Sequence, residues 1–262
     1  MLALIAGQGA LPAELLARLS PTPLICALSG SEPDQVVPEL IFRLETLGSF
    51  LLELKARGVT TVCMAGGVRR PVVDPAAIDA QTLPLVPVIQ AALATGDDGA
   101  LRAVIGIFED AGLDVRAAQD IAPELLLDEG IPTARVPDDR ARQDAARAAA
   151  IMGAMAQADV GQSCAVRNGQ ALAIEGVFGT EWMLASLQAR PDGPGGLLFK
   201  APKAGQDRRV DLPAIGLDTV DQVMRAGLDG IVLEAGSVII LNREEVIAAC
   251  DRLGLYLWLR KA

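Results

Sequence analysis

Histidine is absent from this chain of 262 residues, and its absence restricts the chemistry that the protein can perform. Histidine is the side chain that most often changes its charge near neutral pH, and it is the commonest metal ligand. A general base or a metal ligand in this protein must therefore be an aspartate, glutamate, lysine, cysteine or tyrosine side chain, or a backbone group.

Aromatic residues are scarce, and acidic residues outnumber basic residues. Aromatic residues make up 3% of the chain and hydrophobic residues 51%, so we expect a folded protein with an aliphatic core. Proteins that bind single-stranded nucleic acids stack bases on aromatic rings, which this chain has in small number. The net charge of −10 argues against binding to DNA through its phosphates, although a local basic cluster could still bind a small anion.

Closely spaced cysteines and long apolar runs are also missing. The spacing of the cysteines does not fit a zinc site, and we expect them to be reduced residues of the core in a cytosolic protein. No apolar run reaches the roughly 18 residues of a membrane-spanning helix, and the N-terminus lacks the basic segment of a signal peptide. The sequence predicts a soluble, cytoplasmic protein and leaves peripheral membrane contact open. The cysteines are Cys26, Cys63, Cys164 and Cys250.

The order of apolar segments predicts an α/β protein of two domains. Strands alternate with helices in the first half, which is typical of a parallel sheet with helices on its faces. Residues 128–142 are polar and contain prolines, and we place the domain boundary there. We expect an N-terminal Rossmann-like domain over residues 1–130, a C-terminal α/β domain with a mixed sheet over residues 131–262, and a cleft between them.

A glycine turn follows the first predicted strand. Gly7 and Gly9 come directly before a predicted helix that begins near Leu11 and Pro12. Glycines in such a turn let an anion approach the helix N-terminus. Pro12 replaces the third glycine of a dinucleotide fingerprint, and no acidic residue ends the second strand, which disfavours a nicotinamide site. A simple strand–helix turn and a turn that contacts a nucleotide both stay open.

A second glycine turn, Gly66-Gly67, follows another predicted strand and continues into Arg69 and Arg70. The carboxyl ends of parallel strands meet at one edge of a sheet, so we expect both glycine turns at the same edge. Arginines there would meet a phosphate or a uracil. The alternative is a solvated loop.

Three acidic residues outside the most charged segment are candidates for contacts with a ligand. Asp97 and Asp98 precede a predicted helix. Asp98 suits the N-cap of that helix, whereas Asp97 would face a cation or a ribose. Glu175 ends an apolar strand and is therefore hard to explain as a surface residue. Thr180 begins a helix, where capping accounts for its hydroxyl group.

Charge is densest in residues 200–219, which read KAPKAGQDRRVDLPAIGLDT. Cations of this kind bind phosphate oxygens, and carboxylates among them bind a divalent cation or orient a water molecule. Asp211 lies two residues before a proline, and beside Lys203 and Arg209 it would stay ionised. We expect this segment to bind a phosphorylated ligand; a solvated charged loop is the alternative.

Six segments occur together and in a characteristic order: GQGALP, AGGVRRP, GDDGALR, KAPKAGQDRRVDLPAIGLDT, AGLDGIVLEAG and REEVIAACDRLGL. In this the chain resembles the LpxI family, the UDP-2,3-diacylglucosamine pyrophosphatases of lipid A biosynthesis. The resemblance covers nearly the whole chain, and the long charged segment is its most specific part.

The resemblance implies hydrolysis of the diphosphate of UDP-2,3-diacylglucosamine. Water attacks the α-phosphorus and gives UMP and 2,3-diacylglucosamine 1-phosphate (lipid X), assisted by Mg²⁺ or a similar cation. Asp211 matches the essential aspartate of the family, and we assign catalytic roles to Asp211, Lys203 and Arg209. Asp211 and Glu175 are the expected metal ligands. The residues expected to contact the substrate are Gly7, Gly9, Leu11, Pro12, Arg70, Asp97, Asp98, Thr180, Gln206 and Thr219.

The resemblance also implies which partners the protein would bind. No nucleic acid is expected, the amphiphilic substrate predicts loose contact with the cytoplasmic face of the inner membrane, and a homodimer is left open. One departure stands out: the family's usual Glu-Gly-Thr-Asp appears here as Phe178-Gly179-Thr180-Glu181. This change favours Glu175 over position 178 as the functional acidic residue.

Two other functions compete with the hydrolase. The first is a non-catalytic module that binds a nucleotide sugar or lipid on the same fold. The second is a nicotinamide oxidoreductase, which only the first glycine turn suggests. Replacing Asp211 by alanine separates the hydrolase from the binding module, because a hydrolase would lose UMP release and keep its affinity for the substrate.

Overall fold

The computed structural model describes residues 1–69, 71–94, 97–203, 207–209 and 212–261, and it describes the backbone alone for residues 93, 97 and 98. The described residues divide into two compact units. The first unit contains residues 1–123 together with 207–209, and the second contains residues 124–203 and 212–261.

The first unit is built on a parallel sheet with helices between its strands. The strands are β1 (Leu2–Ala6), β2 (Leu24–Leu28), β3 (Leu40–Phe42), β4 (Thr61–Ala65) and β5 (Asp114–Arg116); the helices are α1 (Leu11–Leu16), α2 (Leu47–Ala56), α3 (Val86–Leu93), α4 (Asp97–Asp110) and α5 (Ala118–Ile121). The central strands read LALIA, LICAL and TVCMA. Apolar runs of this kind form strands that are covered on both faces.

The sheet has the strand order β3-β2-β1-β4-β5. The chain moves from β1 outward to β3 on one side and then returns to β4 on the other side of β1. The order therefore reverses between β1 and β4. Open α/β sheets bind ligands beyond the carboxyl ends of the strands at such a switch point.

The second unit contains a mixed sheet. The strands are β6 (Ser163–Arg167), β7 (Gln170–Ile174), β8 (Leu197–Lys200), β9 (Ala214–Ile215), β10 (Gly230–Glu234), β11 (Ile239–Ile240) and β12 (Tyr256–Arg260); the helices are α6 (Asp139–Gln157), α7 (Gly179–Ser186), α8 (Leu217–Arg225) and α9 (Arg243–Leu253). The sheet order is β12-β10-β8-β6-β7, and β9 and β11 form a separate parallel pair.

Strand direction in the second sheet changes at β6. β12, β10 and β8 are parallel, whereas β6 is antiparallel to β8 and forms a hairpin with β7. The hairpin turns at Asn168 and Gly169, whose φ angles of 52° and 76° suit these two residue types. The predicted α/β class, with one parallel and one mixed sheet, is confirmed. The cleft between the domains stays a prediction.

Each unit has its own core. In the first, the rings of Phe42 and Phe50 stack with centroids 4.0 Å apart. In the second, side chains alternate along β6: Cys164 and Val166 pack against α6, and Ala165 packs with residues of α7, α8 and α9 on the other face. Successive residues of a strand point to opposite faces, so both faces of this sheet are covered by helices.

The four cysteines are free and buried, which confirms the expectation of core residues. Burial raises the pKa of the Cys26, Cys63 and Cys164 thiols to about 12 and that of Cys250 to about 11. Thiols of this kind stay protonated at neutral pH and are poor nucleophiles. In the described part of the chain, no helix is long and apolar enough to cross a membrane.

Two helices begin earlier than the apolar pattern suggests, since that pattern starts at Leu101 for the first helix and at Val220 for the second. α4 begins at Asp97, so Asp97 and Asp98 both lie in its first turn and the N-cap assignment of Asp98 is wrong. α8 begins at Leu217, which places Asp218 and Thr219 in its first turn. Acidic residues stabilise a first turn by interacting with the helix dipole, and the helices therefore extend to include them.

Candidate functional site

The two glycine turns of the first unit pack against each other at the switch point. Gly7 donates a backbone hydrogen bond of 2.8 Å to the carbonyl group of Ala65. Gln8 and Gly67 exchange two backbone hydrogen bonds, each of 2.8 Å. A Cβ atom at Gly7 would clash with the Gly67 carbonyl oxygen. A Cβ atom at Gly66, where φ is +96°, would lie 2.7 Å from the Gly7 carbonyl carbon. Close backbone approach therefore explains Gly7 and Gly66.

The glycine turn that precedes α1 has an acidic partner. The backbone N–H of Gly9 donates to the carboxylate of Asp34 over 2.9 Å. Leu11 and Pro12 are the first two residues of α1, and Pro12 is buried. The predicted substrate contacts of these residues stay predictions.

A pocket of about 500 Å³ opens at the same edge of the sheet, between the strand ends and helices α3 and α4. We call it the apolar pocket. Its walls are aliphatic and aromatic, and they include Ile5, Leu28, Phe42, Met64, Val104 and Phe108. Gly66, Gly67 and the exposed Arg69 also line it, and the backbone N–H of Arg69 donates to buried Ser31 over 3.0 Å. Arg70, predicted to bind the substrate, lies outside the described residues.

Part of the charged segment binds helices of the first unit. The Arg209 guanidinium contacts the carboxylates of Asp207 and Glu109, at 2.8 Å and 2.6 Å, and Gln119 donates to the carbonyl oxygen of Arg208 over 2.8 Å. The hydrogen bonds that Arg209 donates to Asp207 and then to Glu109 raise the pKa of Arg209, and the same bond to Asp207 lowers the pKa of Asp207. The predicted catalytic Arg209 thus also anchors its segment to α4, which carries Glu109.

Lys203, the other predicted catalytic cation, forms an ion pair in the second unit. Its ammonium group lies 2.6 Å from the carboxylate of Asp159, a residue in the left-handed conformation with φ of 53°. The Lys203 side chain is 16% exposed. Gln206 and Asp211 lie outside the described residues, so their predicted roles stay predictions.

Four polar residues form a continuous chain of hydrogen bonds at the carboxyl end of β8. Lys200 donates from Nζ to Thr180 Oγ1 over 2.7 Å, and Thr180 donates to Glu175 Oε2 over 2.9 Å. Ser163 donates from Oγ to the same Glu175 oxygen over 2.5 Å. We call Ser163, Glu175, Thr180 and Lys200 the polar network. Ser163 and Lys200 are buried.

Local structure explains why these side chains meet. Ser163 begins β6 and Lys200 ends β8, and the two residues pair across the antiparallel strands. Glu175 follows β7, and its backbone N–H donates to the Ser163 carbonyl over 3.0 Å. Thr180 is the second residue of α7. The ends of two strands and the start of one helix therefore bring the four side chains together.

Comparison with known proteins agrees with the architecture. The family model described as the LpxI N-terminal domain matches residues 1–125, and the LpxI C-terminal domain matches residues 128–258. A protein of Caulobacter vibrioides named UDP-2,3-diacylglucosamine pyrophosphatase LpxI is 36% identical over 267 residues, which cover 97% of this chain and 95% of that protein. The chain belongs to the LpxI family.

Only some of the residues that meet in this LpxI family member were predicted from the sequence as site residues. Thr180 and Glu175 were both chosen as site residues, and the structure places them in contact. Thr219 lies in the first turn of α8, where its hydroxyl accepts from the Gly216 backbone over 3.4 Å. The side chains of Asp97 and Asp98 lie outside what the structure describes.

Two members of the polar network, Ser163 and Lys200, received no site assignment from the sequence. A signal for Lys200 was present, since a lysine ends the otherwise apolar run LLFK of a buried strand. Lysine is almost never buried without a partner, so its position at a strand end indicates a function or a polar contact. Ser163 carried no such signal, because a serine at the start of a strand is unremarkable.

Proposed function

We propose that the protein hydrolyses the diphosphate of UDP-2,3-diacylglucosamine, releasing UMP and lipid X after water attacks the α-phosphorus. The observation that carries this proposal is the 36% identity to a protein named as that pyrophosphatase, because the alignment covers 97% of this chain and includes both units. Fold alone would carry less weight, since one fold supports many reactions.

The apolar pocket supports the lipid part of the proposed substrate. Its volume of about 500 Å³ lies within the usual range of ligand pockets, about 300–1,000 Å³. Its aliphatic walls would bury an acyl chain, at about 25 cal/mol for each Å² of apolar surface removed from water. Arg69, exposed at the pocket, would place a positive charge near the polar end of a chain bound there.

The cations of the second unit support the phosphate part. Lys200 is buried at the end of β8, and Lys203 follows three residues later. Lysine and arginine groups neutralise the charge that develops on phosphate oxygens in the transition state. The leaving group, a sugar phosphate, is stable as an anion and needs little protonation. This reaction therefore does not require histidine, which the chain lacks.

The divalent cation stays part of the proposal, and the described residues fit it poorly. Among them, no group of three or more acidic or cysteine side chains could hold a metal ion. Asp211 lies outside the described residues, and the Glu175 carboxylate already accepts from two hydroxyl groups.

We propose contact with the cytoplasmic face of the inner membrane, from which an amphiphilic substrate would be taken. Val177, Phe178 and Trp182 are 93%, 71% and 60% exposed and lie beside Thr180 in sequence. The two rings contact each other at 5.4 Å between centroids. Exposed tryptophan and phenylalanine side chains suit the boundary between water and lipid. The homodimer stays a prediction.

Hydrolysis in ¹⁸O-labelled water tests the reaction and its position. The protein is incubated with UDP-2,3-diacylglucosamine with and without Mg²⁺, and the products are analysed by mass spectrometry. We expect label in UMP, unlabelled lipid X, and dependence on Mg²⁺. Label in lipid X would move the attack to the β-phosphorus. Binding of the substrate without UMP release would favour the non-catalytic binding module.

Replacing Asp211 by alanine tests the predicted catalytic aspartate. A hydrolase that uses Asp211 should lose UMP release by about 10³-fold while its affinity for the substrate changes little. Substrate affinity is measured by isothermal titration calorimetry on the variant. Unchanged turnover would remove Asp211 from the mechanism.

A further inference from the structure

A second pocket lies wholly within the second unit and shares no residue with the polar network. Its volume is about 460 Å³, and charged or polar side chains form most of its wall. The pair Gly195-Gly196 precedes β8, Asp229 precedes β10, and Tyr256 begins β12. These three strands are parallel, so the pocket lies at their amino ends, whereas the polar network lies at the carboxyl end of β8. We call it the polar pocket.

The charged groups that line the polar pocket balance one another. Three are arginines and three are aspartates: Arg135, Arg140, Arg167, Asp138, Asp144 and Asp229. The Arg135 guanidinium lies 3.0 Å from the Asp229 carboxylate. The two Asp144 oxygens accept from the backbone N–H groups of Asn168 and Gly169, over 2.9 Å and 2.6 Å. An anion would be repelled by three carboxylates and a cation by three guanidinium groups, so the pocket favours a ligand without net charge.

Tyr256 brings a hydroxyl group without a partner to the polar pocket. The residue is 2% exposed, and its hydroxyl forms no hydrogen bond within the described part of the chain. A buried tyrosine hydroxyl usually has a partner. The ring packs against the Gly230 backbone, where a Cβ atom would lie 2.5 Å from two ring carbons, and the Arg135 guanidinium lies 5.7 Å from the ring centroid. Burial, and then the Asp229 carboxylate, raise the pKa of Tyr256, so the hydroxyl keeps its proton at neutral pH.

Two more side chains can bind a ligand in this pocket. Asn168 lies in the hairpin turn, and Arg140 lies in the first turn of α6; both line the pocket and are exposed. Neither side chain forms a hydrogen bond or an ion pair with another described residue. The Asn168 amide and the Tyr256 hydroxyl each donate and accept hydrogen bonds, and Arg140 only donates. The unpartnered groups are thus mainly neutral and able to act in both directions.

We propose that the polar pocket binds a neutral ligand rich in hydroxyl groups, such as a mono- or disaccharide, through Tyr256, Asn168 and Arg140. Each hydroxyl group of such a ligand both donates and accepts, as the pocket requires. The volume of about 460 Å³ lies within the usual range of ligand pockets, about 300–1,000 Å³. The Arg135–Asp229 ion pair and the hairpin turn hold the wall in place. This site is additional to the proposed hydrolysis and does not depend on it.

Tyr256 is the only tyrosine of the chain, so labelling with ¹³C-tyrosine gives ring signals in the NMR spectrum from this residue alone. The full chain is titrated with glucose, N-acetylglucosamine and sucrose, and separately with glycine as a zwitterion and inorganic phosphate as an anion. We expect a saturable shift of the Tyr256 signals with at least one sugar and none with glycine or phosphate. An equal or larger saturable shift with glycine or phosphate would overturn the neutral class. No saturable shift with any probe up to about 50 mM would overturn the site.

Substitutions then test the individual contacts with the sugar that binds most tightly. Tyr256→Phe keeps the ring and removes the hydroxyl, and we expect the affinity for the sugar, measured by calorimetry, to fall by about 10-fold. Its thermal stability should stay close to that of wild type, because the hydroxyl has no protein partner to lose. Arg140→Gln should also weaken binding, whereas Arg147→Gln, an exposed change on α6 outside the pocket, is the matched control. Wild-type affinity of a folded Tyr256→Phe variant would contradict the proposal.

Discussion

The apolar pocket and the polar network occupy equivalent positions in their respective sheets and have opposite chemistry. The pocket lies at the carboxyl ends of β1, β2 and β4, and the network lies at the carboxyl end of β8. The first is walled by aliphatic and phenyl side chains, and the second contains a buried ammonium and a carboxylate. The chemistry at the carboxyl ends of the strands therefore depends on the residues that end them.

The side chains of the two regions differ, so under the proposed function each region predicts its own substrate dependence. Changes in the network should affect every substrate with a diphosphate, whereas changes in the pocket should affect only substrates with long acyl chains. Four sets of substitutions test this division and the forces that maintain the structure near the pocket.

The largest effect is expected from Lys200→Met. Removing a cation that neutralises transition-state charge should lower kcat/KM by about 10²- to 10³-fold. The loss should be the same for substrates with short and with long acyl chains, because the diphosphate is common to both. UMP release is measured for a series of chain lengths. A loss that grows with chain length would contradict the division between the two regions.

A smaller and selective effect is expected from Ala100→Phe. Ala100 lines the apolar pocket on α4 and is partly buried, so a phenyl ring there would fill part of the volume. We expect kcat/KM to fall by about 10- to 100-fold for long acyl chains and to change little for short ones. Ala91→Phe, on the exposed side of α3, is the control. Equal losses for all chain lengths would remove the pocket from acyl binding.

A pair of glycine substitutions tests the paired turns at the edge of the pocket. Gly66→Ala places a Cβ atom against the Gly7 backbone at a φ of +96°, and Gly9→Ala has a similar φ of +92° with no atom within 4 Å of the new Cβ. We expect Gly66→Ala to destabilise the protein by about 2–3 kcal/mol and Gly9→Ala by about 1 kcal/mol. Urea denaturation measures both, and equal values would show that crowding at Gly66 adds nothing.

The smallest effect is expected for a buried acid near the pocket. Glu45 is 3% exposed, and its carboxylate accepts hydrogen bonds from Arg43 and from the Asp74 backbone, which lower its pKa to about 2. Because the folded pKa lies below the unfolded value of about 4.3, this stabilisation is present above pH 4.3 and is lost as the pH falls toward 2.

Glu45→Gln should therefore be less stable than wild type at neutral pH, and the difference should shrink at low pH. The Arg43 side chain is 54% exposed, so solvent screening limits the difference to about 1 kcal/mol. The free energy of unfolding is measured for both proteins between pH 2 and pH 7. A difference that does not change with pH would contradict the ion-pair explanation.

The fold class could be predicted from the sequence because the periodicity of apolar residues is a local property. The alternation of strands and helices in the first half predicted a parallel sheet, and the runs LALIA, LICAL and TVCMA form its central strands. The starts of α4 and α8 were placed too late, because acidic first turns resemble loops when only the apolar pattern is read.

The site could be predicted from the sequence only in part, because its contacts join residues that are far apart in the chain. Glu175 was chosen because a carboxylate ends an apolar strand, but its partners were not visible from its position. The glycine turns were interpreted as places for an anion, whereas Gly7 and Gly66 also meet each other.

The sequence by itself determined the α/β class, the reduced core cysteines, the absence of histidine chemistry and membership of the LpxI family, since each depends on composition or on local patterns. Tertiary structure alone decided that Ser163, Glu175, Thr180 and Lys200 share one chain of hydrogen bonds. The physical reason is that strand pairing and helix packing bring together residues up to 37 positions apart, and no local pattern specifies which of them will meet.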